Sequence, residues 1–527
     1  MSERKFFEDL LSRGKITRRE FITRLSAMGL VATVSPAFLA SPAKAASPKK
    51  GGRFRMGLTP GHSNDCLDPA TWAENQHYTI GWELRNNLVE VDYKGNAIPE
   101  LAESWEPSAD AKQWTFEIRK GIEFHNGKTL TSEDVIASIN HHRGKDSKSA
   151  AKGMLVSVKD IKADGKNRVI FSLSEGNADF PYILSDYHYN IFPAGTKGGD
   201  FEKGIGTGGY ILVSREPGVR VLTRRNPNYW KAGRAHFDEI ETHFINDPNS
   251  RANALRTNEV DYMQRLDYKT VHLMKKMPGI QIIEATSGTH NTMPMLCDQP
   301  PFDNNHVRLA MKYAVDRKQM VKTLLRGHGM PANDHPIGPT YRFYDPDIPA
   351  HEYDPDKARF HLKKAGRLGE KFKLYVADLG MFADISMVFK EDAAKAGIDI
   401  ELERVSADGY WSEIWRKKPF VNSYWNSRPT EDMMFTAAYS ANSNWNESFW
   451  KNERFNKLLL EARSELDTAK RRGMYREMQQ LCHDDCGSVV LYFRNIVEAA
   501  KDKVKYDHVS GLFEIDGCRA PERWWFA

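Results

Sequence analysis

Hydrophobic and polar positions alternate in short blocks along the first half of the chain. Arg53–Leu58 (RFRMGL) reads as a strand that follows a flexible leader, SPKKGG. Thr115–Arg119 (TFEIR) alternates with period two, the mark of a half-buried strand. Asn126-Gly127 is a tight-turn signal. Thr131 followed by Asp134 predicts a helix N-cap with an acid in the first turn, and the helix then runs to about Arg143. Further strands are predicted at Arg168–Leu173, Gly209–Val213, Arg220–Arg224 and Phe237–Ile245.

In the second half the period lengthens. Val307, Ala310, Met311, Ala314, Val321, Leu324 and Leu325 fit one face of one helix, ended by Gly327 and Gly329. YDPDKARFHLKKAG gives an Asp-Pro helix start and a glycine stop. Phe372–Val376, a helix to about Ala396 and Ile398–Val405 make a β-α-β unit. Arg454–Cys486 holds two helical stretches, and Val489–Phe493 returns as a strand. Strand and helix alternate in both halves, so the fold class is α/β.

The first 45 residues break this pattern. Arg18 and Arg19 precede an apolar run, Leu25–Ala40, and then the small-x-small site Ala43-Lys44-Ala45. That order defines an export signal, and TRREFI resembles the twin-arginine type. No cysteine precedes Cys66, so a lipid-anchoring cysteine at the cleavage site is not expected. The segment holds eight Lys/Arg against four Asp/Glu, so four of the five net positive charges of the 527-residue chain sit there. The remainder is nearly neutral, which argues against a nucleic-acid partner. A composition of 40% hydrophobic and 28% charged residues suits a soluble globular protein of two or three units.

Chemical motifs are sparse. Gly204-Ile-Gly206-Thr-Gly208-Gly209 matches G-x-G-x-x-G, but strand-like residues follow it where a dinucleotide site needs a helix, so it reads as a glycine-rich bend. The five cysteines, Cys66, Cys297, Cys482, Cys486 and Cys518, are odd in number, so at least one is expected unpaired unless chains cross-link. Cys482 and Cys486 face one side of a helix and read as buried small hydrophobes, since no second ligand pair accompanies them. No metal and no cofactor is expected, and no nucleophile has a base beside it.

Aromatics crowd 409–450: Tyr410, Trp411, Trp415, Phe420, Tyr424, Trp425, Phe435, Tyr439, Trp445, Phe449 and Trp450. Arg428 stands among them in a turn, WNSRPTED. Aromatic walls with a guanidinium suit a cleft that holds an apolar body and a carboxylate.

Four strings occur in one order: LAESWEPS…WTFEIRKGIEFHNGKTLTSEDV, GIGTGGYILV…NPNYW, PPFDNNHVRLAMKYAVDR and YDPDKARFHLKKAG. Together they resemble the periplasmic solute-binding proteins of ABC importers, in the peptide/opine/nickel-binding family, family 5. The resemblance implies a two-lobed periplasmic binding protein with an extra subdomain inserted in lobe I, and no catalytic activity. Lobe I would span 46–290 with the subdomain near 80–205, lobe II 291–494, and 495–527 would return to lobe I. It further implies a monomer that hands a small-molecule ligand to an inner-membrane ABC permease and its ATPase.

The same resemblance places the site. In the peptide binders a Trp is followed three positions later by an Asp that pairs with the peptide's α-amino group; counting from Trp425, that position is Arg428. Dipeptide binders also carry an arginine in the helix before an A-x-x-G-[IV] turn, and Phe382–Gly397 has none. Trp411 matches a pocket-lining Trp of the family. The expected ligand-binding set is Arg428, Trp425, Trp411, Tyr424, Tyr410, Glu431 and Asp432. The charge reversal favours a carboxylate-bearing amino-acid conjugate or opine-like ligand. The alternatives are a di- or oligopeptide in a shifted pose, with Glu431 or Asp432 taking the amine, and, more distantly, a periplasmic enzyme.

Overall fold

The computed structural model describes residues 48–527, so the export signal expected over 1–45 lies outside the described residues. Among the described residues no helix is long and apolar enough to cross a membrane. Arg53–Leu58 forms the inner strand its pattern predicts, with Phe54, Met56 and Leu58 fully buried. It runs parallel to Glu239–Phe244 on one side and to Tyr262–Met263 on the other. Seven strands make this sheet, in the order Ile280–Ala285, Ile496–Lys501, Tyr262–Met263, Arg53–Leu58, Glu239–Phe244, Arg220–Arg225 and Tyr210–Glu216.

Between the first and the later strands of that sheet the chain builds a separate four-stranded antiparallel sheet. Its order is Ala102–Pro107, Gln113–Ile118, Arg168–Leu173, Val158–Ala163. Trp114, Phe116 and Ile118 point inward and join a core of their own. The helix Ser132–His141 opens on a full capping box, in which Thr131 and Asp134 satisfy each other's backbone donors. The glycine-rich bend follows. A Cβ at Gly206 would lie 2.2 Å from Leu84 O, and one at Gly208 2.3 Å from Glu83 O. The glycines are there for close backbone approach and not for a phosphate.

The second lobe is built on a four-stranded sheet in the order Gly329–Pro331, Ser488–Arg494, His290–Pro294, Ser423–Trp425. Beside it the parallel pair Lys371–Ala377 and Asp399–Val405 brackets the helix Phe382–Lys395, the predicted β-α-β unit. The single helix expected across Val307–Leu325 is two, Asn305–Tyr313 and Arg317–Thr323. Asp316 breaks it by capping the second helix, its side chain accepting from Gln319 N at 2.8 Å. The apolar stripe runs on across the break because both helices pack on one core.

Ile280–Ala285 belongs to the first sheet and His290–Pro294 to the second; Ser488–Arg494 belongs to the second and Ile496–Lys501 to the first. The chain therefore crosses between lobes twice, and the crossings lie side by side, with Arg494 N donating to Thr289 O at 2.9 Å.

A third contact joins the lobes away from these crossings. Asp179, which follows the four-stranded subdomain sheet, is buried between Arg342 and Arg471 of the second lobe. Its Oδ1 accepts from Arg342 at 2.8 Å and from Arg471 at 3.1 Å, and its Oδ2 from Arg471 at 2.6 Å. Burial opposes the charged carboxylate, but Arg471 and Arg342 override it and hold Asp179 below its ordinary value. Removing one member of a buried ionic group costs about 3–5 kcal/mol, because the remaining charges stay buried unpaired. Asp179→Ala is expected to lower the unfolding free energy by that amount in urea titration. An unchanged value would show that the two arginines reach water without it.

Candidate functional site

Three strands of the second sheet end on the same side, toward the first lobe: His290 begins one, Trp425 ends another and Arg494 ends the third. His290 pairs with both Trp425 and Phe493. The turn after Trp425 carries Arg428. The guanidinium of Arg428 is half-buried and makes no salt bridge among the described residues; its only hydrogen bonds go to Asn426 O at 3.3 Å and Ser427 O at 3.2 Å in its own turn. The turn is fixed from outside, with Arg428 N donating to the Tyr341 hydroxyl at 3.1 Å. Burial first, then Asp186, push the Tyr187 hydroxyl of the first lobe up, and the charge of Arg428 opposes them. The nearby acid on that side, Asp186, is engaged by His188 Nδ1 at 2.6 Å. Burial first, then Arg428 and Arg494, push His290 down to about 4, so it adds no charge at neutral pH.

A small pocket lies beside this turn. Trp82, Ser185, Asp186, Phe513 and Arg519 line it from the first lobe, and Pro429 from the second. Farther along the gap Trp411 and Tyr424 stand 43% and 41% exposed, unusual for rings of this size. Their centroids are 5.7 Å apart and edge-on, and Phe382 backs both, at 6.4 and 6.5 Å. These rings form an apolar wall with its face open.

Not every expected residue reaches that wall. Tyr410 is core: it is 1% exposed, and its hydroxyl donates to Asn422 O at 2.8 Å. The short π-helical turn Tyr410–Ile414 sends it inward while Trp411 turns out. Trp425 is also buried, packed against the helical core and 6.2 Å from Trp445. Glu431 and Asp432 open the helix Glu431–Ala438, capped by Thr430, and both carboxylates point inward. Glu431 accepts from Phe343 N at 2.6 Å and lies 3.7 Å from Arg342; Asp432 pairs with Arg463 at 3.1 Å. Burial raises both acids despite these arginines. Neither is free to take a ligand's amine, which corrects the expected shifted pose. Sequence reasoning did not single out Phe513, which lines the pocket, or Arg494, which ends the strand nearby, as site residues. Only Arg494 carried a signal, as the last residue before the second crossing.

Beneath the first-lobe wall lies a buried group that resembles a metal site. Oxygens of Glu90, Glu100 and Glu522 come within 4.8 Å of one another. Lys231 Nζ fills the centre, 2.7 Å from Glu90, 2.7 Å from Glu100 and 3.0 Å from Glu522. Arg519 adds bonds to Glu100 at 2.8 and 3.0 Å, and Arg523 one to Glu90 at 2.8 Å. Three carboxylates thus meet three cations. Burial disfavours the charge on Glu90, yet Lys231, Arg519 and Arg523 hold it well below the ordinary range. The ammonium stands where a cation would sit. The cysteines carry no such chemistry: all five are free, with Cys482, Cys486 and Cys518 buried. Lys231→Met is expected to cost about 3–5 kcal/mol in chemical unfolding. Millimolar Ca²⁺ or a chelator is expected to leave the melting temperature of the unmutated protein unchanged, as thermal-shift measurements would show.

Comparisons with known proteins agree on one family. Residues 96–447 match the model described as "Bacterial extracellular solute-binding proteins, family 5 Middle". The dipeptide-binding protein of Escherichia coli K12 is 25% identical over 464 residues, covering 80% of this chain and 86% of that protein. The structure of HbpA2 from Haemophilus parasuis superposes with a TM-score of 0.81 at 22% identity, over 90% of this chain and 100% of that one. The binding protein AgaA of A. tumefaciens R10, in complex with agropinic acid, gives 0.74 at 24% identity, over 90% and 99%. The chain belongs to the bacterial extracellular solute-binding proteins, family 5.

Proposed function

We propose that this protein is the periplasmic, monomeric, non-catalytic capture component of an ABC importer, and that its solute is fixed through a carboxylate by Arg428. One observation carries the ligand reading: a half-buried guanidinium, without an acidic partner among the described residues, sits one residue from the pocket lining. Such a cation is disfavoured while it lacks a counter-charge, so an anionic solute gains what the protein withholds. Trp411 and Tyr424 supply a flat apolar surface for the rest of the molecule. We take Trp425 as the buried support of the Arg428 turn. The lobe boundaries 46–290, 291–494 and 495–527 belong to the same proposal, with closure about the paired crossings. The AgaA complex shows that an opine is accommodated by a neighbour of this fold. A dipeptide is the second reading, on the strength of the E. coli relative. It needs an acid other than Glu431 or Asp432 for the amine.

Native mass spectrometry of the purified mature protein, before and after denaturation, tests the reading. A carboxylate-bearing, non-peptide molecule is expected. A set of di- to pentapeptides would mean instead that the reversed charge changes the pose and not the substrate class. With the released molecule as titrant, Arg428→Ala is expected to lose about 2–4 kcal/mol of binding free energy by calorimetry, the scale for truncating one partner of a buried charge pair. Unchanged affinity removes Arg428 from the site. Trp411→Ala is expected to cost less, about 1–3 kcal/mol, with the preference for acids retained. A shift in melting temperature with no change in affinity would make that ring structural.

A further inference from the structure

Arg494 ends the central strand Ser488–Arg494, where the chain leaves the second sheet. It is half-buried, its guanidinium donates no hydrogen bond to a described residue, and it makes no salt bridge among them. Its neighbour is a ring: the guanidinium carbon lies 6.0 Å from the centroid of Tyr424, the half-exposed tyrosine of the apolar wall.

Strand register explains the meeting. Tyr424 pairs with Asn291, and Asn291 pairs with Tyr492, so the three stand in one row across the sheet. Arg494 is two residues beyond Tyr492 and therefore shares its face. In that row Asn291 Oδ1 and the Tyr492 hydroxyl are buried and lack hydrogen-bond partners. Unpaired buried atoms occur elsewhere in the molecule too, so what singles these two out is their place in one row with a cation that is itself unpaired among the described residues.

Three acids lie around this face: Asp384 acts on Tyr492, while Glu514 and Glu284 act on the adjacent Tyr268. Glu514 is held by Arg265 at 2.8 Å, Asp384 meets Lys269 at 3.7 Å on the surface, and Glu284 accepts from Asn495 Nδ2 and touches His328. None of the three makes a salt bridge to Arg494. The charge of Arg494 is left without a partner of its own, as is that of Arg428 at the same end of the sheet. His290, in register with Trp425 and Phe493, feels both.

We infer that Arg494 is a second anion-binding residue of this cleft, so that the solute carries two acidic groups, one for Arg428 and one for Arg494. The body between them lies on Tyr424 and Trp411, and an N–H on that body has Asn291 Oδ1 as its acceptor. The chemical class is a dicarboxylic N-substituted amino acid. This rests on the Arg428 reading given above.

The test uses two series of probes on a common frame, N-acetyl and N-succinyl amino acids, which differ by one CH2–COO⁻ group. Each is titrated into the purified protein and its variants by calorimetry. The N-succinyl member is expected to bind the unmutated protein at least about tenfold more tightly than its N-acetyl counterpart, one charged hydrogen-bonded contact being of that order. Arg494→Ala should erase that preference, and Arg494→Lys should restore part of it, while binding of the N-acetyl member stays as it was. Arg428→Ala should weaken both series. Equal affinities for the two series in the unmutated protein, a preference that survives Arg494→Ala, or failure of every N-succinyl probe to bind would each overturn the inference. Failure of the Arg428 reading looks different: both series would bind Arg428→Ala as before, whatever Arg494→Ala does.

Discussion

Three buried carboxylates around one lysine hold the first lobe in register. Glu90 and Glu100 come from the segment that enters the inserted subdomain, Lys231 from the loop that leaves it, and Arg519, Glu522 and Arg523 from the C-terminal tail. A backbone bond, Ala235 N to Glu522 O at 2.8 Å, ties the loop to the tail, and the charges tie both to the entering segment. Burying six charges is costly unless each finds its partners. Here every carboxylate has at least two cationic contacts and the formal charges cancel. The same tail presents Phe513 and Arg519 to the pocket. The first-lobe wall of the cleft is therefore only as well placed as this group is complete.

The second lobe handles charge in the opposite way where it meets the cleft. Inside it, the acids closest to the site are buried beside arginines, Glu431 3.7 Å from Arg342 and Asp432 3.1 Å from Arg463. At the open end of its sheet two arginines have no such partners. Asp179 shows what the protein does with arginines when it wants a fixed contact: it lends a carboxylate from the other lobe, and Arg342 and Arg471 close on it. Among the described residues no carboxylate is lent to Arg428 or Arg494. The contrast separates cations that hold the lobes together from cations that stay unpaired.

Much of this was legible along the chain. Strands such as Arg53–Leu58, the Thr131–Asp134 cap and the β-α-β unit follow from local alternation and capping chemistry, which need no distant partner. Arg428 was legible because a family spacing located it. What stayed hidden depended on contacts far apart in sequence. The break at Asp316 was masked because the apolar stripe continues across it. Tyr410 and Trp411 are adjacent and chemically alike, and only the π-helical turn decides which faces the core. Glu431 and Asp432 looked available because Arg342 and Arg463 are remote in the chain. The Lys231 group drew on five partners from distant segments and left no local trace.

These placements bear on how a shared fold changes its solute. A cleft's preference for charge is set by the groups that remain unpaired once the structure has satisfied itself, and not by the count of charged residues near it. Glu431 and Asp432 sit close to Arg428 in sequence, so counting would call that turn acidic. Their arginines hold them inside the lobe, which leaves Arg428 and, at the same end of the sheet, Arg494 as unpaired charges among the described residues. The turn at 428 is fixed from outside by Tyr341, while the guanidinium itself bonds to Asn426 O and Ser427 O within it. Relatives about a quarter identical keep one architecture, and their names record different solutes, a dipeptide and agropinic acid.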